Sequence, residues 1–98
     1  MYHADMPEHL ERLLWKHVVT GPYTPNVLAE VVDAYNRSLM EICEQHEVDR
    51  LDLASQVPRD TSAFYDDCHF NASGCEQVAN LLATYFVSRM RQAADRLA

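Results

Sequence analysis

The sequence predicts an α/β chain that is mostly helical, with one or two short strands. Two long segments repeat apolar residues at intervals of three and four positions, which is the pattern of a helix with one covered face. Between them, residues 47–53 alternate apolar and polar side chains, as a half-covered strand does. The 98 residues correspond to one domain or part of one, because single domains usually contain about 100–150 residues.

A first helix is predicted to start near Pro7, after a loose start over residues 1–6. Proline is favoured in the first helical turn, and acidic side chains just after it suit the positive end of the helix dipole. The helical spacing is carried by Leu10, Leu13, Leu14 and Val18. A strand over residues 15–20 stays open as an alternative, because residues 18–20 are all β-branched.

The longest helical pattern covers about residues 25–46. The Gly-Pro-Tyr-Thr-Pro run at residues 21–25, which is either a turn or an extended connector, precedes it. Thr24 can cap the helix with Pro25 at its first position. Its apolar stripe consists of Val27, Leu28, Val31, Val32, Tyr35, Leu39, Ile42 and Cys43. These signals agree with one another, so this helix has the strongest support in the sequence.

The strand predicted at residues 47–53 has no evident partner in the chain. A lone buried strand leaves its N–H and C=O groups unpaired, which folded proteins seldom tolerate. We therefore expect it to pair with the segment around Trp15 or with another chain. Residues 54–65 are predicted as a loop, since Pro58 interrupts them and polar residues follow it.

A last amphipathic helix is predicted after residue 70. Asn71 or Ser73 can cap it, and Ser73 with Glu76 three positions later has the spacing of a capping box. Its apolar face consists of Val78, Leu81, Leu82, Tyr85, Phe86 and Met90. Arginines near its carboxyl end suit the negative end of the helix dipole.

The composition excludes several partners and locations. Fifteen acidic and eight basic residues give a net charge of −7, which repels phosphate backbones and anionic lipid surfaces, so neither nucleic acid nor membrane is an expected partner. No apolar run is long enough to cross a bilayer, and the amino-terminal segment is not basic as a signal peptide is. Three cysteines without CxxC spacing indicate reduced thiols and a cytoplasmic location.

The residues with chemical potential are concentrated in Asp66-Asp67-Cys68-His69. His69 can act as a general base, and Asp66, three positions earlier, can hold the imidazole in one tautomer. The alternative is that His69 is simply a polar residue between a loop and a helix, with Asp66 starting a turn. Spacing alone does not decide between these interpretations.

The run from Asp66 to Gly74 resembles the last conserved block of the SGNH, or GDSL-type, hydrolases. That block is an Asp-x-x-His motif followed by a small polar segment, a glycine and the terminal helix. Residues 35–39 of the long helix and the predicted strand at 48–53 are similar to the penultimate helix and last strand of the family. The resemblance covers about residues 22–90, which is only the carboxyl-terminal half of a typical member.

The resemblance implies a doubly wound, flavodoxin-like α/β fold, of which residues 1–98 would form one partial domain. It implies that His69 is the general base toward a serine and that Asp66 is the orienting acid, in the hydrolysis of carboxylic (acyl) esters without metal or cofactor. Asp66 has the family spacing, whereas the neighbouring Asp67 is expected to face solvent or to cap the turn.

The chain departs from the family in lacking a nucleophile. It contains no Gly-Asp-Ser-Leu segment, and the glycine and Gly-x-Asn-Asp blocks that supply oxyanion donors are absent as well. The serines present are Ser38, Ser55, Ser62, Ser73 and Ser88, none of which follows a predicted strand in a sharp turn. Loss of the nucleophile costs about 10⁶ in rate, so we expect a truncated product or fragment that is inert until the missing half is supplied.

Three further interpretations assign the chain or the loop to other functional classes. The stripes over residues 27–42 and 78–90 can make the chain a non-catalytic helical interaction module that forms a homo-oligomer. A metal site at Asp66, Cys68, His69 and Cys75 is disfavoured, because structural zinc sites close with four ligands in compact pairs. Cys68 is expected to be an inert thiol and not a nucleophile, since adjacent side chains point in different directions.

Overall fold

A computed structural model describes residues 1–14 and 23–98 of the chain. Within these residues there are three helices, α1 (Glu8–Glu11), α2 (Pro25–Gln45) and α3 (Ala72–Leu97), joined by irregular connectors. The described residues contain no strand, and their one β-type pairing is an isolated antiparallel bridge between Phe64 and Phe70. Residues 15–20, for which both helix and strand were possible, lie outside the described ranges.

The predicted α/β fold is wrong, because the described residues form helices without a sheet. Residues 47–53, predicted as a strand, form an irregular connector. The chain leaves α2 through Glu47, whose φ of 53° is left-handed, and the Val48 N–H donates back to the Cys43 carbonyl over 2.8 Å. Alternating side chains make a strand only where a neighbour pairs its backbone. The doubly wound, flavodoxin-like fold implied by the SGNH resemblance is therefore absent from the described ranges.

Helix α1 is a single turn in a small apolar cluster at the amino terminus. Pro7 is the residue before the helix and not its first member. The buried members of the cluster are Met1, Met6, Leu10 and Leu14, and Tyr2, Leu13 and Phe64 pack against them. The start of the chain is therefore ordered by burial, which corrects the prediction of a loose segment over residues 1–6.

Helix α2 confirms its prediction to within one residue, since it ends at Gln45. Thr24 is the N-cap, and its hydroxyl accepts a hydrogen bond from the Val27 N–H at 3.3 Å. Pro25 occupies the first turn, where its missing N–H removes no helical hydrogen bond.

Helix α3 is fixed at its amino end by Asn71 and Gly74. The Asn71 side chain accepts from the Gly74 N–H at 2.8 Å, so Asn71 is the cap and the capping box predicted at Ser73 and Glu76 is wrong. A Cβ on Gly74 would lie 2.0 Å from the carbonyl oxygen of Ala63, a fully buried residue. Only glycine permits this approach, which seats the helix directly on the loop before it.

The long helices keep much of their apolar surface in solvent. The described helices make only marginal contacts with one another. The radius of gyration is 16.6 Å, whereas a compact chain of this length has about 13 Å. Exposed apolar residues of α2 and α3 include Val27, Val31, Tyr35, Leu39, Ile42, Phe86 and Met90. In the part of the chain that is described, no helix combines the length and the apolar character needed to cross a membrane.

Candidate acid–base site

The loop that carries Asp66 and His69 is closed at its base by two aromatic residues. Phe64 and Phe70 form the isolated antiparallel bridge, and their ring centroids are 4.9 Å apart. Just inside it, the Tyr65 N–H donates to the His69 carbonyl over 3.2 Å. Residues 65–69 are thus held as a tight turn directly before α3.

Asp66 and His69 are brought together within this turn. The Asp66 Oδ1 atom accepts hydrogen bonds from the backbone N–H groups of Cys68 at 2.9 Å and His69 at 2.7 Å. The other carboxylate oxygen, Oδ2, lies 2.7 Å from His69 Nδ1. Because the backbone fixes Oδ1, Oδ2 has a set direction in which to meet the imidazole.

The local electrostatics keep Asp66 ionised. Partial burial alone would raise its pKa, but hydrogen bonds from the Cys68 and His69 N–H groups and from the imidazole outweigh this effect and hold the pKa at about 2. An ionised carboxylate can only accept hydrogen bonds, so Nδ1 of His69 must donate. The neutral imidazole therefore carries its proton on Nδ1 and has a free electron pair on Nε2.

His69 is oriented by a stacked ring and remains accessible. The Tyr65 and His69 rings are nearly parallel, with an angle of 10° and centroids 5.5 Å apart. The His69 side chain is 53% exposed. The imidazole is therefore fixed by Asp66 and Tyr65 while a face of it stays open to a reacting group.

Asp67 turns away from solvent, contrary to its prediction. Its Oδ2 atom accepts from the Tyr2 hydroxyl at 2.8 Å, and its backbone carbonyl accepts from the Met1 nitrogen at 2.9 Å. Burial, and then the hydrogen bond to Asp67, raise the pKa of Tyr2. Asp67 Oδ1 is buried with no hydrogen-bond partner among the described residues. Asp67 thus fastens the loop to the amino-terminal cluster.

The Cys68 thiol lies beside the imidazole, with Sγ 3.4 Å from His69 Nδ1. Desolvation, followed by the negative charges of Asp67 and Asp66, raises the pKa of Cys68. A thiol of raised pKa is protonated at neutral pH and is a poor nucleophile. The ring nitrogen nearest to it already donates to Asp66, so this geometry provides Cys68 with no base.

Three potential metal ligands meet in the same loop. One ligand atom each from Asp66, Cys68 and His69 lies within 4.8 Å of the other two. Cys75, the fourth member of the metal interpretation, is not part of this group and lies at the end of the first turn of α3. The structure thus brings together three of the four residues named for a metal and leaves one out.

No serine is placed to be the nucleophile. Ser38 and Ser88 lie within helices, and the other three bind local partners: Ser55 bonds to Asp52, Ser62 to Asp60 and Ser73 to Gln77. Among the hydrogen bonds of the described residues, none joins a serine to His69. The loop therefore holds an acid and a base without a group to activate.

The sequence interpretation missed the residues that support this loop. Tyr65, which stacks on His69, was assigned only to a connector, and Tyr2 was placed in a loose start. The available signal was the symmetry of the segment, in which Phe64-Tyr65 and Phe70 enclose the four polar residues. Aromatic residues on both sides of a short polar run indicate a closed turn.

No family model, curated protein or solved structure matches this chain. The resemblance to SGNH hydrolases was drawn from residues 35–39, the predicted strand at 48–53 and the run from Asp66 to Gly74, and residues 48–53 do not form a strand. The chemistry of the site rests on the geometry described above.

Proposed function

We propose that residues 66–69 are the acid–base half of a serine esterase site that hydrolyses carboxylic (acyl) esters, with the serine supplied by a polypeptide segment outside these 98 residues. The observation that carries the proposal is the 2.7 Å contact between Asp66 Oδ2 and His69 Nδ1, with Asp66 Oδ1 fixed by two backbone N–H groups. The proposal concerns this loop and its likeness to the Asp-x-x-His block, and does not depend on an α/β fold.

The chemistry follows from the two nitrogens of His69. Nε2 takes the proton of the serine hydroxyl as the serine oxygen attacks the ester carbonyl, and the imidazolium is stabilised by Asp66 at Nδ1. The same proton then passes to the alkoxide that leaves, which gives an alcohol and an acyl-serine. Water, deprotonated by Nε2 in turn, releases the carboxylic acid and restores the serine. The oxyanion donors must come from the segment that carries the serine.

Two features of the chain support a second segment as partner. The His69 side chain is half exposed directly before α3, so an incoming serine can reach it. The exposed apolar faces of α2 and α3 provide surface for the segment to cover. A cytoplasmic location is part of the proposal and is supported by free thiols at Cys43, Cys68 and Cys75.

The test is hydrolysis of p-nitrophenyl butyrate by the chain alone and by the chain refolded with the polypeptide encoded immediately upstream. We expect the chain alone to match the buffer rate and the mixture to turn over the ester. His69→Ala should abolish this turnover, and Asp66→Asn should lower it by about 10⁴, the usual cost of losing the orienting carboxylate.

The matched control is His46→Ala, which removes an exposed histidine at the carboxyl end of α2 and should leave the rate unchanged. Turnover by the mixture that survives His69→Ala would contradict the proposal. Turnover by the chain alone that His69→Ala abolishes would retain the site but refute the need for a second segment.

A second candidate is a self-associating helical module, and the surface area of the chain favours it. The accessible surface is 7215 Å², whereas a folded monomer of this mass exposes about 5,700 Å². The excess of about 1,500 Å² is larger than the roughly 800 Å² that each partner buries in a standard interface. A second copy that covers the exposed faces of α2 and α3 would remove this excess. The molar mass in solution discriminates, since a strict monomer excludes this candidate.

A further inference from the structure

Adjacent side chains of the 66–69 loop converge, although the sequence suggested that they diverge. In an extended chain, the side chains of Cys68 and His69 would point to opposite faces. Here Asp66 Oδ1 accepts from both of their backbone N–H groups, which curls the chain around the carboxylate. Cys68 Sγ and Asp66 Oδ2 consequently approach the same atom, His69 Nδ1, at 3.4 Å and 2.7 Å.

These separations can be compared with those of a tetrahedral zinc site. Zinc–ligand bonds of about 2.3 Å for sulfur and 2.0–2.2 Å for nitrogen and oxygen put sulfur and nitrogen ligands about 3.6 Å apart, and nitrogen and oxygen ligands about 3.4 Å apart. The Cys68–His69 separation of 3.4 Å already fits. The Asp66–His69 separation of 2.7 Å has room for a proton and must widen by about 0.7 Å to admit an ion.

The ligand set also matches the preferences of a divalent transition metal. Zinc binds thiolate, imidazole and carboxylate, and a site with three protein ligands keeps a fourth position open. The Asp66 carboxylate is oriented in advance by two backbone N–H groups, so little ordering is required of it. Cys68 and His69 are both exposed, so an ion and its water can approach from solvent.

We propose that the 66–69 loop binds one divalent transition-metal ion of the zinc type through Asp66 Oδ2, Cys68 Sγ and His69 Nδ1. The ion replaces the proton that Nδ1 shares with Asp66, and the Cys68 thiol loses its proton to solvent on coordination. Metal binding and the Asp66–His69 hydrogen bond therefore exclude each other. The proposal goes beyond the esterase assignment and does not rest on it, because the ligands are all in this chain.

The test is titration of the chain with Co²⁺, followed by its absorption spectrum. We expect a thiolate-to-cobalt charge-transfer band in the near ultraviolet and strong visible bands of four-coordinate cobalt, saturating at one ion per chain. Cys68→Ser should remove the charge-transfer band, whereas the control Cys75→Ser, also an exposed cysteine, should keep it. Asp66→Asn should weaken binding by more than about tenfold, because Asp66 is a direct ligand and even the loss of a group that only orients a ligand costs about 10–100-fold.

A second measurement identifies which imidazole nitrogen of His69 binds the metal, because the charge-transfer band does not distinguish the two. In ¹⁵N spectra of the imidazole, saturating Zn²⁺ should replace the Nδ1 proton of His69 and leave Nε2 protonated. Metal on Nε2 would overturn the proposed ligand set. So would a charge-transfer band that persists in Cys68→Ser or disappears in Cys75→Ser, or a wild-type chain that gives no such band at saturation.

Discussion

The two carboxylate oxygens of Asp66 make different contacts. Oδ1 closes the turn by accepting two backbone N–H groups, and Oδ2 meets His69 Nδ1. The same side chain thus shapes the loop and sets the imidazole tautomer. A substitution at Asp66 should therefore disturb both the backbone turn and the orientation of His69. Because two backbone N–H groups and the imidazole contact the carboxylate, its protonation can be monitored at each of these groups.

We expect Asp66 to titrate with a pKa of about 2, below the ordinary 3.8. Because the pKa is lowered in the folded chain, the stabilisation is fully present above the ordinary value and is lost as the pH falls through about 2. The amide ¹H–¹⁵N signals of Cys68 and His69, which donate to Asp66, should shift with that midpoint. Asp66→Asn should remove the transition, and a midpoint near 3.8 would contradict the geometry.

For single residues, the sequence predicted the contact between residues that are close along the chain and missed the contacts between residues that are far apart along it. Asp66 and His69 are three positions apart, so a single turn brings them together and their spacing was informative. The contact of Asp67 with Tyr2 spans 65 positions, and it depends on how the amino-terminal cluster folds onto the loop. No local pattern carries that information, so the orientation of Asp67 was predicted wrongly.

Among the elements, those defined by local signals were predicted well. Helix α2 has a cap at Thr24, a proline in its first turn and a continuous apolar stripe, and all three signals act within the helix itself. The segment 47–53 has only alternation, and a strand also requires a neighbour that no local pattern supplies. The false strand therefore came from a signal that is necessary but not sufficient, and the α/β fold was inferred from this strand together with the resemblance to SGNH hydrolases.

Gly74→Ala should lower the free energy of unfolding by about 2–3 kcal/mol, although alanine is intrinsically the better helix former by about 1 kcal/mol. The new Cβ would lie 2.0 Å from the Ala63 carbonyl oxygen, so α3 and the loop must separate. Chemical denaturation followed by circular dichroism measures the change. The control Ser73→Ala, at the exposed neighbour, should stay within about 0.5 kcal/mol. A Gly74→Ala chain as stable as the wild type would show that α3 is not seated on Ala63.

On the scale of the whole molecule, the unusual quantity is exposed apolar surface. The buried apolar residues of the described ranges are few, and none is a large side chain buried to within 2%. Composition alone did not foresee this, because 48% hydrophobic residues is ordinary for a compact chain. The distribution of those residues on two helices that barely touch is what leaves them in solvent.

If the second candidate function is correct, light scattering after size exclusion should give a molar mass above that of one chain, rising with concentration. Val31→Lys, which places a charge in the exposed stripe of α2, should return the mass to that of a monomer. The control Arg37→Gln lies on another side of the same helix and should not change the mass. A mass of one chain at every concentration would exclude self-association.

The close contact of Gly74 with Ala63 fixes α3 at its amino-terminal end. A helix of 26 residues is about 39 Å long, and the contact of Gly74 with Ala63 lies a few residues from His69. Along its length, α3 is restrained by an exposed ion pair between Arg89 and Asp49, a contact worth about 0–1 kcal/mol. Displacing the distal part of α3, near Met90, from Asp49 would therefore break a contact worth no more than about 1 kcal/mol.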